Sequence, residues 1–163
     1  MGKELFKFSS GKFLPEKKRL TEGIPVYGGN GVAWYTDESL VDEDTIVIGR
    51  VGAYCGNVRL VTGPKWVTDN AIFISTFKTD NYCLPFLEIL MTIYDFHQYA
   101  EVSGQPKITQ KPLEDHLYIV PPKKSQERFA SVVEQVNKSK LAIQESLEKL
   151  EILKKSLMQH YFG

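Results

Sequence analysis

Residues 125–163 constrain this chain most. Phe129, Val133, Val136, Lys140, Ile143, Leu147, Leu150, Lys154, Leu157 and Tyr161 follow spacings that alternate four and three, the a/d seam of a heptad repeat. Phe129, Val133, Val136, Ile143, Leu147, Leu150, Leu157 and Tyr161 are apolar, and no Pro or Gly interrupts the run before Gly163. A helix rises ~1.5 Å per residue, so this one is roughly 55 Å long. A compact domain of ~120 residues is ~30–35 Å wide. Part of the seam therefore needs a partner outside the chain's own globular part. The pattern predicts a globular unit over residues 1–122 followed by a long dimerisation helix over 123–163.

The N-terminal part is long enough to bury a core. Hydrophobic content of 42% and charged content of 25% are ordinary for a globular protein. Net charge is zero but unevenly placed: Lys3, Lys7, Lys12, Lys17, Lys18 and Arg19 face only Glu4 and Glu16 within the first twenty residues. Zero net charge neither announces nor excludes nucleic-acid binding, because one basic face suffices. Cys55 and Cys83 lack a C-x-x-C spacing and read as two reduced, structural thiols. No signal peptide opens the chain and no apolar run approaches ~18 residues, so the expectation is a cytoplasmic protein without a membrane partner.

The first twenty residues read as irregular and polar. Short segments rich in Val, Ile, Thr and aromatics then predict strands at Ile24–Tyr27, Val32–Tyr35, Thr45–Arg50, Asn57–Thr62 and Asn70–Thr76. Glycine-rich turns at 28–31, 52–56 and 63–64 separate them. The reading is a twisted, mostly antiparallel sheet. Leu84–Ala100 has helical spacing and predicts one helix packed on that sheet. A polar loop covers 102–110, Pro112 suits the first turn of a short helix capped by Thr109, and His116–Val120 reads as a last strand. The fold class expected is α+β, ending in a long coiled-coil helix.

Catalytic machinery is hard to find. Gly49-Arg50-Val51-Gly52 does not supply a Walker loop. An amino-methyltransferase acting on a base usually shows N/D-P-P-Y/F, whereas Pro121-Pro122 lies between Val120 and Lys123. His97, His116 and His160 are far apart in sequence, so no metal or other cofactor is expected. Glu16-Lys17-Lys18 contains the E-x-K fragment of a nuclease site, but the first Asp is Asp37, downstream rather than upstream. Cys55 has no His near it in sequence to form a nucleophile pair.

Polar loops remain. Asn30 lies among glycines; Arg50, Tyr54, Asn57 and Arg59 surround the second glycine loop; Gln105 and Lys107 follow Gly104. Arg or Lys pairs with guanine O6/N7 and Asn or Gln with adenine N6/N7, while Lys12, Lys17, Lys18 and Arg19 suit phosphates. Taken singly, each also reads as a solvated loop residue, and on this basis the unit is a ligand-binding domain of open identity.

The runs Ile24-Pro25-Val26-Tyr27-Gly28-Gly29-Asn30-Gly31 and Thr45–Val58 resemble the target-recognition domain of type I restriction-modification specificity subunits. Trp66-Val67-Thr68-Asp69-Asn70-Ala71, Ser103-Gly104-Gln105-Pro106-Lys107-Ile108-Thr109, and Val120-Pro121-Pro122 with Gln126 extend the resemblance over roughly residues 20–163. It implies a non-enzymatic subunit that selects the DNA sequence for an adenine-methylating modification subunit and, where present, an ATP-driven restriction subunit. Family members carry two recognition domains and two long helices; one of each is expected here. A natural half-subunit, an inactive remnant and one half of a longer protein all fit. A half-subunit would form a two-fold homodimer through an antiparallel helix pair and read a bipartite inverted repeat in double-stranded DNA. The rival is a structural adaptor whose helix serves assembly alone.

Overall fold

In the computed structural model, which describes residues 1–101 and 104–163, strand β4 (Thr45–Gly49) is buried along its whole length. The Ser103 of the third glycine-containing motif and Val102 of the polar loop lie outside the described residues. β4 occupies an inner position of a four-stranded antiparallel sheet, ordered β1 (Phe6–Ser10), β7 (Ala71–Phe77), β4, β5 (Val58–Val61). Its apolar run Ile46-Val47-Ile48 suits a strand covered on both faces. The Thr45 hydroxyl donates to the Ile74 carbonyl at 2.6 Å, which satisfies a polar group inside the core.

A second sheet has three strands: β3 (Gly31–Thr36), β2 (Ile24–Gly28) and β6 (Trp66–Val67). β2 pairs antiparallel with β3 and parallel with β6. Val67 and Tyr27 of this sheet join Val47, Val61, Ala71 and Phe73 in one apolar cluster, so the two sheets share a core. The expected antiparallel character holds, divided between two sheets. Two-residue β6 is too short to leave a periodic signal in the sequence.

The N-terminus departs from the irregular reading. Gly2–Leu5 forms a short helix, α1, and Phe6–Ser10 pairs with β7 as the outer strand β1. Phe6 and Phe8 point inward while Lys7 is exposed, an alternation only five residues long that the surrounding lysines conceal. Glu16–Lys18 forms a 3-10 turn.

The helix expected over Leu84–Ala100 stops early. α2 spans Leu84–Ile93, and Asp95 takes a left-handed conformation (φ 48°) before a 3-10 turn at Phe96–Tyr99. The break turns Phe96 into the core, where its ring meets Tyr94 and His116. α2 covers the outer strand β5, and Glu88 accepts a hydrogen bond from the Leu60 amide at 2.8 Å, closing part of that sheet edge. α3 (Gln110–Asp115) follows Thr109 as expected, although the Thr109 side chain makes no capping hydrogen bond.

His116–Val120 is extended but is not a strand. Its backbone groups find side chains instead: Tyr82 donates its hydroxyl to the Ile119 carbonyl, and the Ile119 amide reaches the Tyr94 hydroxyl. Tyr118 enters an aromatic cluster with Phe6, Tyr94 and His116.

The chain divides into two compact units, Met1–Lys123 and Lys124–Gly163. Within the second lies almost all of α4 (Lys123–Phe162), a single helix of 40 residues, about 60 Å long. No helix among the described residues is long and apolar enough to cross a membrane.

Candidate nucleic-acid interface

Three loops that are far apart in sequence meet at one edge of the N-terminal unit. The first is the β2–β3 turn, Gly28–Gly31. The second is the segment after β4, Gly49–Asn57. The third contains Gln105 and Lys107. The first two touch at backbone level: a methyl group on Gly29 would lie 3.2 Å from the Val51 carbonyl and 3.3 Å from that of Asn70. The second and third are tied by the Gly52 amide donating to the Pro106 carbonyl, by the Ile108 amide donating to the Arg50 carbonyl, and by a bridge between Val51 and Lys107. Gly52 holds φ at +81°, and the Gln105 amide nitrogen lies over the space where its Cβ would be.

These ties bring Asn30, Arg50, Tyr54, Asn57, Gln105 and Lys107 onto neighbouring loops, and Arg59 of β5 reaches them. Arg59 crosses from β5 to the first turn, donating to the Asn30 carbonyl at 3.2 Å; its Nε is buried without a partner among the described residues. Arg50 donates to the Asp69 carbonyl at 3.3 Å. The side chains of Asn30, Tyr54, Asn57, Gln105 and Lys107 are exposed. Two guanidinium groups, an ammonium and three amides in one cluster form an array of donors, the chemistry that engages base edges and phosphates.

Lys17, Lys18 and Arg19 do not join the cluster. Leu20 bridges to Tyr35, four residues along β3 from Gly31, which at the rise of a strand is roughly 13 Å from the turn. Lys18 is paired with Glu38 at 2.6 Å. The Arg19 guanidinium lies 3.9 Å over the Trp34 ring and approaches the Leu14 carbonyl. Lys17 remains exposed. Lys12 lies against β6, its amide bonded to the Val67 carbonyl and its own carbonyl accepting from the Trp66 indole.

Four further residues stand beside these loops: Asp69 and Asn70, which the sequence reading named only within a motif, and Asp95 and His97, which it did not single out as candidates. The Asn70 carbonyl accepts from the Arg50 amide and lies against Gly29 of the first loop, and the residue is exposed. Asp95 and His97 line a cleft of about 310 Å³ together with Tyr54 and Asn57. Contact between two loops some forty residues apart leaves no periodic mark, although Gly56 was a hint: a Cβ there would lie 2.4 Å from the His97 amide nitrogen. Cys55 is buried, its thiol donating to the Arg50 carbonyl, and burial pushes its pKa up, away from a reactive thiolate. Among the described residues no three His, Cys, Asp or Glu side chains are grouped to hold a metal ion.

On α4, the seam residues Val136, Ile143, Leu147, Leu150, Leu157 and Tyr161 are 47–71% exposed, and Val133 is half-buried. Phe129 is 44% exposed. The sequence reading missed that Leu153, Met158 and Phe162 widen this face toward the C-terminus. They join Leu150, Leu157 and Tyr161 around an apolar groove of about 410 Å³.

A model of the type I restriction modification DNA specificity domain matches residues 3–154. The chain is 29% identical over 136 residues to the type I restriction enzyme EcoprrI specificity subunit of Escherichia coli, which covers 80% of this chain and 33% of that protein. Its fold resembles that of the type I restriction-modification S subunit from M. genitalium (TM-score 0.72, 23% identity), covering 99% of this chain and 44% of that one. It also resembles the HsdS subunit from Thermoanaerobacter tengcongensis (TM-score 0.67, 14% identity), covering 97% and 42%. The chain thus spans about a third of the curated relative and less than half of these solved chains. With the family model matching nearly its whole length, the chain belongs to the type I restriction modification DNA specificity domain family.

Proposed function

We propose that the N-terminal unit reads duplex DNA for a type I restriction-modification system and carries no catalytic group of its own. The observation that carries this reading is the meeting of the three loops, which places Asn30, Arg50, Arg59, Gln105 and Lys107 on adjoining backbone. Family membership supplies the class of ligand. Arg50, Gln105 and Asn30 act on base edges, with Tyr54 and Asn57 beside them, while Lys107, Lys12 and Lys17 contribute phosphate contacts. Lys18 and Arg19, already engaged by Glu38 and Trp34, position that segment. Methylation belongs to a modification subunit and cleavage to a restriction subunit, in the cytoplasm.

The exposed apolar face of α4 supports assembly through a second helix. In this reading two copies pair antiparallel, and two-fold symmetry presents two identical recognition units to the DNA. The target is then a bipartite inverted repeat. At ~3.4 Å per base pair, a 60 Å helix corresponds to roughly eighteen base pairs.

The test is selection of sequences from a randomised duplex library by the full chain, alone and with the modification subunit. Enrichment of one motif supports the reading. Equal retention of all sequences, or no binding to any DNA at low salt, overturns it in favour of an assembly adaptor.

A further inference from the structure

The cleft beside the second glycine loop adds acceptors to the donor-rich loops. Tyr54, Asn57, Thr92, Asp95 and His97 contribute its polar lining. The His97 Nδ1 lies 2.9 Å from the Cys55 carbonyl oxygen. A carbonyl only accepts, so Nδ1 carries the proton, and the tautomer this contact selects has Nε2 as its acceptor. The Thr92 hydroxyl donates to the Glu88 carbonyl at 2.8 Å, so its oxygen has only lone pairs left to offer. Asp95 adds a carboxylate. It is held in place by the left-handed backbone at φ 48°, the one non-glycine residue with positive φ among the described residues.

Beside the Tyr54 hydroxyl and the Asn57 amide, which can donate as well as accept, the cleft offers a carboxylate, a hydroxyl oxygen and an imidazole nitrogen as acceptors. The carboxylate disfavours phosphate oxygens and the O6 and O4 edges of guanine and thymine. It suits an amino group. In the major groove the exocyclic amines are cytosine N4 and adenine N6, and a carboxylate is the usual acceptor for the former. We propose that this cleft is a base-reading site selecting an exocyclic amino group, with Asp95 and His97 as specificity-determining residues. The proposal rests on the DNA-reading function given above. The walls of the cleft are rigid where it matters, because Gly56 (φ +85°) lets the glycine loop pack directly on the His97 backbone.

The variants Asp95→Asn and His97→Asn test it. Asn tolerates the left-handed conformation of Asp95; at position 97 its side-chain amide can still donate to the Cys55 carbonyl while the ε nitrogen is lost. Each variant and the natural chain are put through the randomised-duplex selection, alone and with the modification subunit, after matching thermal melts. The expected result is a motif with one position restricted to C or A in the natural chain. At that position discrimination falls about tenfold in each variant, with G or T admitted in Asp95→Asn and all other positions kept. Whether the position is C or A identifies the amine. An unchanged motif in both variants, or equal loosening at every position, overturns the cleft assignment and leaves DNA reading intact. A natural chain that enriches no motif overturns both.

Discussion

Gly49 faces the carbonyl oxygen of Tyr54 so closely that a Cβ would sit 2.2 Å from it, and 2.7 Å from the carbonyl oxygen of Gly29. Both obstacles are backbone, so no side-chain rotation relieves them. The contact fixes the first two loops against each other and so sets the spacing of Asn30 and Arg50.

Gly49→Ala is therefore expected to destabilise the N-terminal unit by about 1–3 kcal/mol or more. Gly28→Ala is its control. A Cβ there meets nothing nearer than the Thr68 hydroxyl at 3.7 Å, and the backbone is an ordinary strand. Thermal melts should show a clear drop for the first variant and a small change for the second. Equal behaviour would mean that the loops are not locked at Gly49.

Arg50→Ala and Gln105→Ala should each weaken binding to the selected sequence by roughly 5- to 150-fold, the range expected for a lost base contact, without lowering the melting temperature. Lys17→Ala should instead weaken all sequences alike and reduce the salt dependence of binding by about one counterion. Titrations of cognate and scrambled duplexes at several salt concentrations separate the two patterns.

Acid should destabilise the N-terminal unit through His116. Burial against Tyr94, whose ring centroid is 4.1 Å away, lowers the pKa of this imidazole below its ordinary value. The unfolded chain then binds the proton more readily than the folded one. The stability present above the ordinary His pKa of ~6.5 is lost as pH falls from there toward the folded value. Melting temperature should decline between pH 7.5 and 5, and His116→Phe, which keeps a ring in the cluster, should flatten that part of the decline. A His116→Phe profile parallel to the natural one would remove His116 from the account.

Leu150→Lys or Leu157→Lys is expected to convert a dimer to a monomer in sedimentation experiments while leaving melting of the N-terminal unit unchanged. Lys140→Leu and Lys154→Leu should tighten association, since charged groups at seam positions weaken it. A chain that is monomeric at micromolar concentration in its natural form would refute helix-mediated pairing.

The parts of this molecule legible in the sequence are those with a local pattern. The β4 run Thr45-Ile46-Val47-Ile48 announces itself as a short, continuous β-branched stretch and the α4 seam through apolar spacing of three and four. β1 was missed because Phe6 and Phe8 are only two inward positions among lysines and serines. The break at Asp95 was missed because it depends on Phe96 finding a place between Tyr94 and His116, a tertiary demand that overrides helical spacing. At the interface, the residue types of the loops were readable, whereas their meeting was not. Asn30 and Arg59, twenty-nine residues apart, are joined by one hydrogen bond that no pattern encodes. The stacking of Arg19 on Trp34, fifteen residues away, is likewise a tertiary contact that leaves no mark in the sequence.

The central claim is that this chain chooses the DNA sequence to be methylated. Its most direct test maps methylated bases across the genome of a host expressing the chain with its modification subunit, against a host expressing that subunit alone. A bipartite inverted-repeat motif, methylated only when the chain is present and lost with Arg50→Ala and Gln105→Ala combined, is the predicted result. Methylation that is absent, or identical in motif without the chain, would contradict it.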